Sequence, residues 1–204
     1  MADVELFSTA EARAFNGSKL SNETTYLTAT ITAKEVEIRE AFDRILGCNC
    51  VRTTHANERH DGDGSDYLIL KWPMVSSVTA ISVDGTAFTA TDLSTTDYSD
   101  GLAIDSEHGI LARRSGVFDA GWSNVSVTYV AGWEFVPDLL KRAALIIATT
   151  EIPASNVPYS ADDYDAGGMS VSFARGDGFN GNWWSMPEVV KALRLYTYKM
   201  PGIA

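Results

Sequence analysis

Apolar positions in this 204-residue chain change period twice. Between Leu27 and Ile45 they fall at Leu27, Ile31, Ile38, Phe42 and Ile45, one stripe of a helix. Glu35, Glu37, Arg39, Glu40 and Asp43 occupy the other faces. Thr24, Thr25, Thr28, Thr30 and Thr32 make the first half a poor intrinsic helix and leave its start open. From Cys50 to Val130 the period drops to two. VRTTH, YLILKW, VTAISV, FTAT, LAIDS and VSVTYV read as short strands separated by Asp-Gly, His-Gly and Ser-Gly turn signals. Val125, Val127 and Tyr129 share one side of the last strand, with Ser126 and Thr128 on the other, as in a half-buried antiparallel strand. No helical period intervenes, which argues against parallel βαβ units.

Past Gly132 the helical period returns. Pro137 opens a helix in which Leu139, Leu140, Ala143, Ala144, Ile146 and Ile147 cover most of the circumference, the pattern of a central core element. A short helix near the start is opened by the capping box Ser8–Glu11 and closed by Asn16-Gly17. Pro153 to Trp184 is a proline-, glycine- and aspartate-rich stretch with one strand hint at Met169–Phe173, and a loop of that length is usually functional or mobile. Ser185-Met186-Pro187-Glu188 then supplies an N-cap, a first-turn proline and a capping-box glutamate. Val189, Val190, Leu193 and Tyr196 line one face of the helix that follows. The resulting expectation is an α+β fold: a helical bundle (about 5–16, 24–46, 136–150 and 186–199) with an inserted antiparallel β-hairpin or sheet region and a tethered C-terminal helix. The domain reading is a bundle core over 1–152 with the β insertion at about 50–130, an acidic glycine-rich tether over 153–185, and the C-terminal helix over 186–204.

Composition narrows the classes. The net charge of −11 argues against a phosphate-gripping surface, which needs clustered Lys and Arg. An acidic surface repels DNA, which suits a conduit for DNA and equally suits any acidic protein. No run approaches the length of a membrane span, and Met1 to Glu5 lacks the character of a secretory leader. Cys48 and Cys50 are spaced awkwardly for a disulfide and lack the second pair of a closed zinc site, so reduced, partly buried thiols and cytoplasmic synthesis are expected.

Candidate chemistry is sparse. His55, His60, Asp61, Asp63 and Asp66 suggest a cation, and Asp61-x-Asp63-x-Ser65 begins like a calcium loop. The pattern fails where Asp66 replaces the sixth-position Gly and Trp72 the twelfth-position Glu. GDGFNG (Gly176–Gly181) lacks the Lys-Ser/Thr of a phosphate-binding loop. No Gly-x-Ser-x-Gly elbow is present, and His108 sits in a turn. No catalytic residue, metal ligand or cofactor site is therefore assigned, and the expectation is a non-enzyme. The adjacent Trp183 and Trp184 are either interface anchors or caps on the core.

The segment Asp61–Gly85 (DGDGSDYLILKWPMVSSVTAISVDG) runs from an acidic turn through an L-x-L strand and a Trp-Pro break to an SV-x-x-I-x-V-D-G hairpin. It resembles the central segment of the head-tail connector (adaptor) proteins of tailed bacteriophages and prophages. EIREAFDRILGCNCVRTT (Glu37–Thr54), NVSVTYVAGWEFVPDLLKRAALIIA (Asn124–Ala148) and MPEVVKALRLYTYKMP (Met186–Pro201) resemble other family segments, in the family's order. Together the four cover roughly half the chain. Gly47-Cys48-Asn49-Cys50 departs from the family, which more often carries an Arg and an aromatic there.

The resemblance implies a structural part of a virion, located at the head-tail junction. It implies a ring of about twelve copies closed by heterologous contacts, seated under a portal protein and extending the DNA channel. A head-closure (stopper) or tail-terminator protein would dock below. DNA would pass through the lumen without sequence-specific binding, and neither membrane nor cofactor is implied. The portal-docking candidates are Trp183, Trp184, Met186, Val189, Val190, Leu193 and Tyr196. Arg113, Arg114, Lys141 and Arg142 are candidates for subunit contacts. The competing reading is a β-rich enzyme or carbohydrate-binding module with a metal loop at the Asp61–Asp66 turn.

Overall fold

The computed structural model describes residues 5–15, 19–23, 26–89, 92–93, 95–96, 101–152, 163–166, 169–172, 183 and 186–197. Four helices, α1 (Thr9–Ala14), α2 (Thr28–Leu46), α3 (Asp138–Glu151) and α4 (Pro187–Tyr196), accompany a 3₁₀ turn at Lys19–Ser21. The strands are β1 (Thr53–Gly62), β2 (Tyr67–Ile69), β3 (Val75–Val83), β4 (Thr86–Ala87), β5 (Leu102–Asp105), β6 (Ile110–Arg113), β7 (Gly121–Ala131), β8 (Asp163–Ala166) and β9 (Met169–Ser172). The chain divides into a β unit, Leu46–Phe135, and a helical unit made of Glu5–Ile45 and Val136–Thr197.

In the β unit, β7 is the organising strand. One sheet has the order β1-β7-β3-β4 and a second the order β2-β6-β5, with every pairing antiparallel. Val125, Val127 and Tyr129 on β7 are fully buried. They join Ile81 and Val83 of β3, Leu68 of β2, Leu102 of β5, Leu111 of β6 and Phe118 in one hydrophobic cluster drawn from both sheets. Gly132 ends β7 with φ +107°, and a Cβ there would lie 2.2 Å from the Val51 carbonyl oxygen, so only glycine fits. On the other flank β1 bulges between His55 and Glu58, with Asn57 at φ 53°.

In the helical unit, α1 starts with both bonds of the predicted capping box: Glu11 N–H donates to Ser8 Oγ and Ser8 N–H to Glu11 Oε2. α2 buries Ile31, Ile38 and Phe42. α3 buries Leu140, Ala143, Ala144, Leu145, Ile147 and Ala148, and α4 packs on it through Val189, Ala192 and Leu193. β8 and β9 form an antiparallel pair of backbones in the stretch expected to be tether.

The expected helical bundle with a β insertion is not the architecture. Among the described residues the protein is mixed, with two antiparallel sheets in the β unit, the separate β8–β9 pair and four α-helices. One of those helices, α1, has six residues. The physical reason lies in strand length. β3 and β7 run to 9 and 11 residues, long enough for alternate side chains to close a core with the second sheet, and the 10-residue β1 flanks β7. The β region is thus a compact unit with its own core and not an appendage of helices. Periodicity identifies an element's type, but it does not say which elements share a core.

Candidate interaction surface

α4 is amphipathic, and its two faces have different fates. Val189, Ala192 and Leu193 are buried in the helical unit, and Tyr196 is half-buried. The Trp183 indole, 8 % exposed, meets Phe42 edge-on at a centroid distance of 5.6 Å. Its Nε1–H donates to Glu151 Oε1 at 2.6 Å, while Lys34 Nζ holds Glu151 Oε2 at 2.8 Å. One carboxylate thereby ties α2, the end of α3 and Trp183 together. The opposite face presents Pro187, Val190, Lys191, Arg194 and Leu195, which line a shallow open groove, and Leu195 is 64 % exposed. Of the docking candidates, the half-buried Val190 lines this groove, Met186 is half-buried at the N-cap of α4, and Trp184 falls outside the described residues.

Of the four candidate subunit-contact cations, Arg113, Lys141 and Arg142 engage partners within the chain through their side chains, and Arg114 is held through its backbone. Arg113 Nη1 donates to the Val117 carbonyl at 2.6 Å and its guanidinium stacks 4.5 Å from the Phe88 ring centroid. Arg114 N–H donates to the Gly101 carbonyl at 3.0 Å. Lys141 pairs with Glu11 at 2.8 Å and Arg142 with Glu188 at 3.0 Å.

Sequence reading missed Trp122. At 90 % exposure it is the most exposed large apolar side chain among the described residues. Its neighbours hold its backbone still. Ser123 N–H donates to Asp61 Oδ1 at 2.5 Å, and Ser123 sits at φ 52°. Asn124 accepts from Gly62 N–H at 2.9 Å and donates to the Asp119 carbonyl at 2.8 Å. Asp84 N–H donates to the Asn124 carbonyl at 2.9 Å. Asp61, Asp84 and Asp119 are all exposed, so the tryptophan stands among acidic residues, with Arg59 reaching the Ser123 carbonyl at 3.4 Å. The available signal was phase: Trp122 shares even positions with Ser126 and Thr128, opposite the core-facing Val125, Val127 and Tyr129.

The histidines and aspartates proposed for a cation go to different places. His55, His60 and Glu58 form a polar cluster around Tyr129. His60 Nε2 lies 3.0 Å from Glu58 Oε1, His55 Nε2 lies 2.8 Å from Asn49 Oδ1, and the His55 ring stacks on Trp72. Burial holds His60 below its ordinary value of 6.5, against the pull of Glu58 and Asp61. Asp61 caps Ser123, and Asp63 closes a turn by accepting from Ser65 N–H at 2.9 Å. Among the described residues no group of three or more His, Cys, Asp or Glu side chains is placed to hold a metal. Cys48 and Cys50 are buried and unbridged. No helix among the described residues is long and apolar enough to cross a membrane.

No family model matches the chain, and no curated protein matches it. Similar solved structures come from gene transfer agent (GTA) particles. The neck of an empty GTA particle computed with C6 symmetry contains a chain 16 % identical at a TM-score of 0.47. The neck of a native GTA particle computed with C12 symmetry contains one 15 % identical at 0.45. The virion of a native GTA particle contains one 16 % identical at 0.46. Each match spans 99 % of this chain and 98 % of the other.

Proposed function

We propose that this protein is a structural head-tail connector of a tailed phage or phage-like particle. In that role copies of the chain form a ring under the portal, extend the DNA channel and receive a head-closure or tail-terminator protein. The observation that carries the reading is the order of the four family-like segments. They coincide with the end of α2, the run from β2 through β3, the connection from β7 through Gly132 to α3, and α4. The charge of −11 supports a lumen that DNA slides past, because counterion release by clustered cations is what makes DNA stick. The metal-loop alternative loses its support, since the carboxylates of Asp61 and Asp63 are engaged as turn caps.

The portal-docking role falls to the segment from Trp183 to Tyr196. With Val189, Leu193 and Trp183 embedded in the helical unit, docking by that side requires α4 to leave α3. The test is reconstitution: purified chain mixed with a purified portal ring, imaged by cryo-electron microscopy. A ring of this chain on the portal's lower face is expected. A chain that stays monomeric and ignores the portal overturns the reading.

A further inference from the structure

Two exposed features of the molecule are complementary. Trp122 is a projecting aromatic, 90 % exposed, and its backbone is fixed by bonds to Asp61 and to the Asn124 network. Its neighbours Asp61, Asp84 and Asp119 are exposed acids. The outward face of α4 is an apolar strip, Pro187, Val190 and Leu195, beside the cations Lys191 and Arg194. An exposed tryptophan on a backbone held at a positive-φ corner is the form of an interface anchor, because little freedom is lost when it is buried. The α4 face offers it an apolar seat and opposite charge, and local positive charge is scarce in a chain with 16 Lys and Arg against 27 Asp and Glu.

We propose that Trp122 of one copy seats on the outward face of α4 of the next, with Lys191 and Arg194 facing the acids around the tryptophan. The knob and the seat are different surfaces of the same chain, so the contact is heterologous. Repeated, such a contact closes a ring or extends a filament. This rests on the connector reading and deepens it by naming where neighbouring copies meet. It assigns the outward side of α4 to the neighbour in the ring and leaves only its inner side for a portal.

The experiment compares full-length wild type, Trp122→Ser, Arg194→Glu and Asp119→Lys by sedimentation velocity, with thermal melts as the folding control. All three substituted side chains are exposed, so melting near the wild-type temperature is expected. Self-association should weaken by about 30-fold for Trp122→Ser, the loss typical of an anchor residue. Arg194→Glu and Asp119→Lys should each weaken it alone, and an equimolar mixture of the two should regain it, because one contact per pair restores an unaltered knob and an unaltered seat and the other pairs the two reversed charges. If Trp122→Ser fails to fold, the charge-reversal pair decides. Undiminished assembly of Trp122→Ser, or no recovery on mixing, overturns this contact while leaving the connector standing. A wild-type chain that self-associates neither alone nor on a portal ring overturns both.

Discussion

Tyr129, fully buried near the end of β7, donates its hydroxyl to Glu58 Oε1 on β1 at 2.8 Å. The Tyr129 hydroxyl oxygen in turn accepts from the Trp72 backbone N–H at 3.4 Å, so one phenol links β1, β7 and the loop after β2. Burial, reinforced by the Glu58 charge, pushes the phenol far above its ordinary range and keeps it a donor at every working pH. Tyr129→Phe should keep the ring packing but strand the Trp72 amide and leave Glu58 Oε1 with His60 in place of two neighbours. A loss of about 1–3 kcal/mol of stability is expected in urea unfolding. An unchanged midpoint would show that water satisfies both groups.

His60, beside that pair, gives the β unit a defined response to acid. Burial lowers its native pKa below the ordinary 6.5. Between those two values the unfolded chain holds a proton that the folded chain does not, so acid favours unfolding. Its effect on stability should be absent above about pH 6.5 and grow as the pH falls through that value, levelling off below the native pKa. Melting temperatures of wild type and His60→Gln measured across pH 5 to 8 should diverge in slope on the acid side. Parallel curves would remove His60 from the account.

Trp183 makes the end of α3 depend on residues distant in sequence. Trp183→Ala removes an indole packed on Phe42 and leaves Glu151 with only Lys34 of its two partners. The expected loss is about 3–5 kcal/mol, the usual range for large aromatic truncation in a core. Trp183→Phe should cost less, because the edge-on ring contact survives and Lys34 still satisfies the carboxylate. Equal losses would mean that the Nε1–H bond, and not the ring, dominates.

Gly132 and Gly85 separate conformational strain from steric exclusion. Both have positive φ, +107° and +81°, but a Cβ at Gly85 meets nothing within 4 Å while one at Gly132 meets the Val51 carbonyl at 2.2 Å. Gly85→Ala should cost about 1–2 kcal/mol from left-handed backbone alone. Gly132→Ala must also push the backbone after β7 away from Val51, and its melting temperature should fall well below that of Gly85→Ala.

Much of the local structure was legible in the chain itself. The stripe from Ile31 to Phe42, the capping box at Ser8 and Glu11, Pro187 in the first turn of α4 and the alternation of Val125, Val127 and Tyr129 are short-range signals. They depend on spacings of two to four residues, which is why sequence alone determines them. Part of the site was legible too: the apolar positions of α4 could be read, but not which side would be covered.

Tertiary structure decided the rest. TTHANERHDG has no apolar alternation beyond its first residues, yet it forms all of β1, because β7 supplies the hydrogen-bonding partner that a polar edge strand needs. Trp183 and Trp122 are the same residue type in similarly polar, glycine-containing surroundings. One is buried because Phe42 and Glu151 receive it, and the other stands in solvent because the bonds of Asp61 and Asn124 hold its backbone at an overhang past the end of β3. Burial is a property of what the chain brings together over tens of residues, and periodicity carries no information at that range.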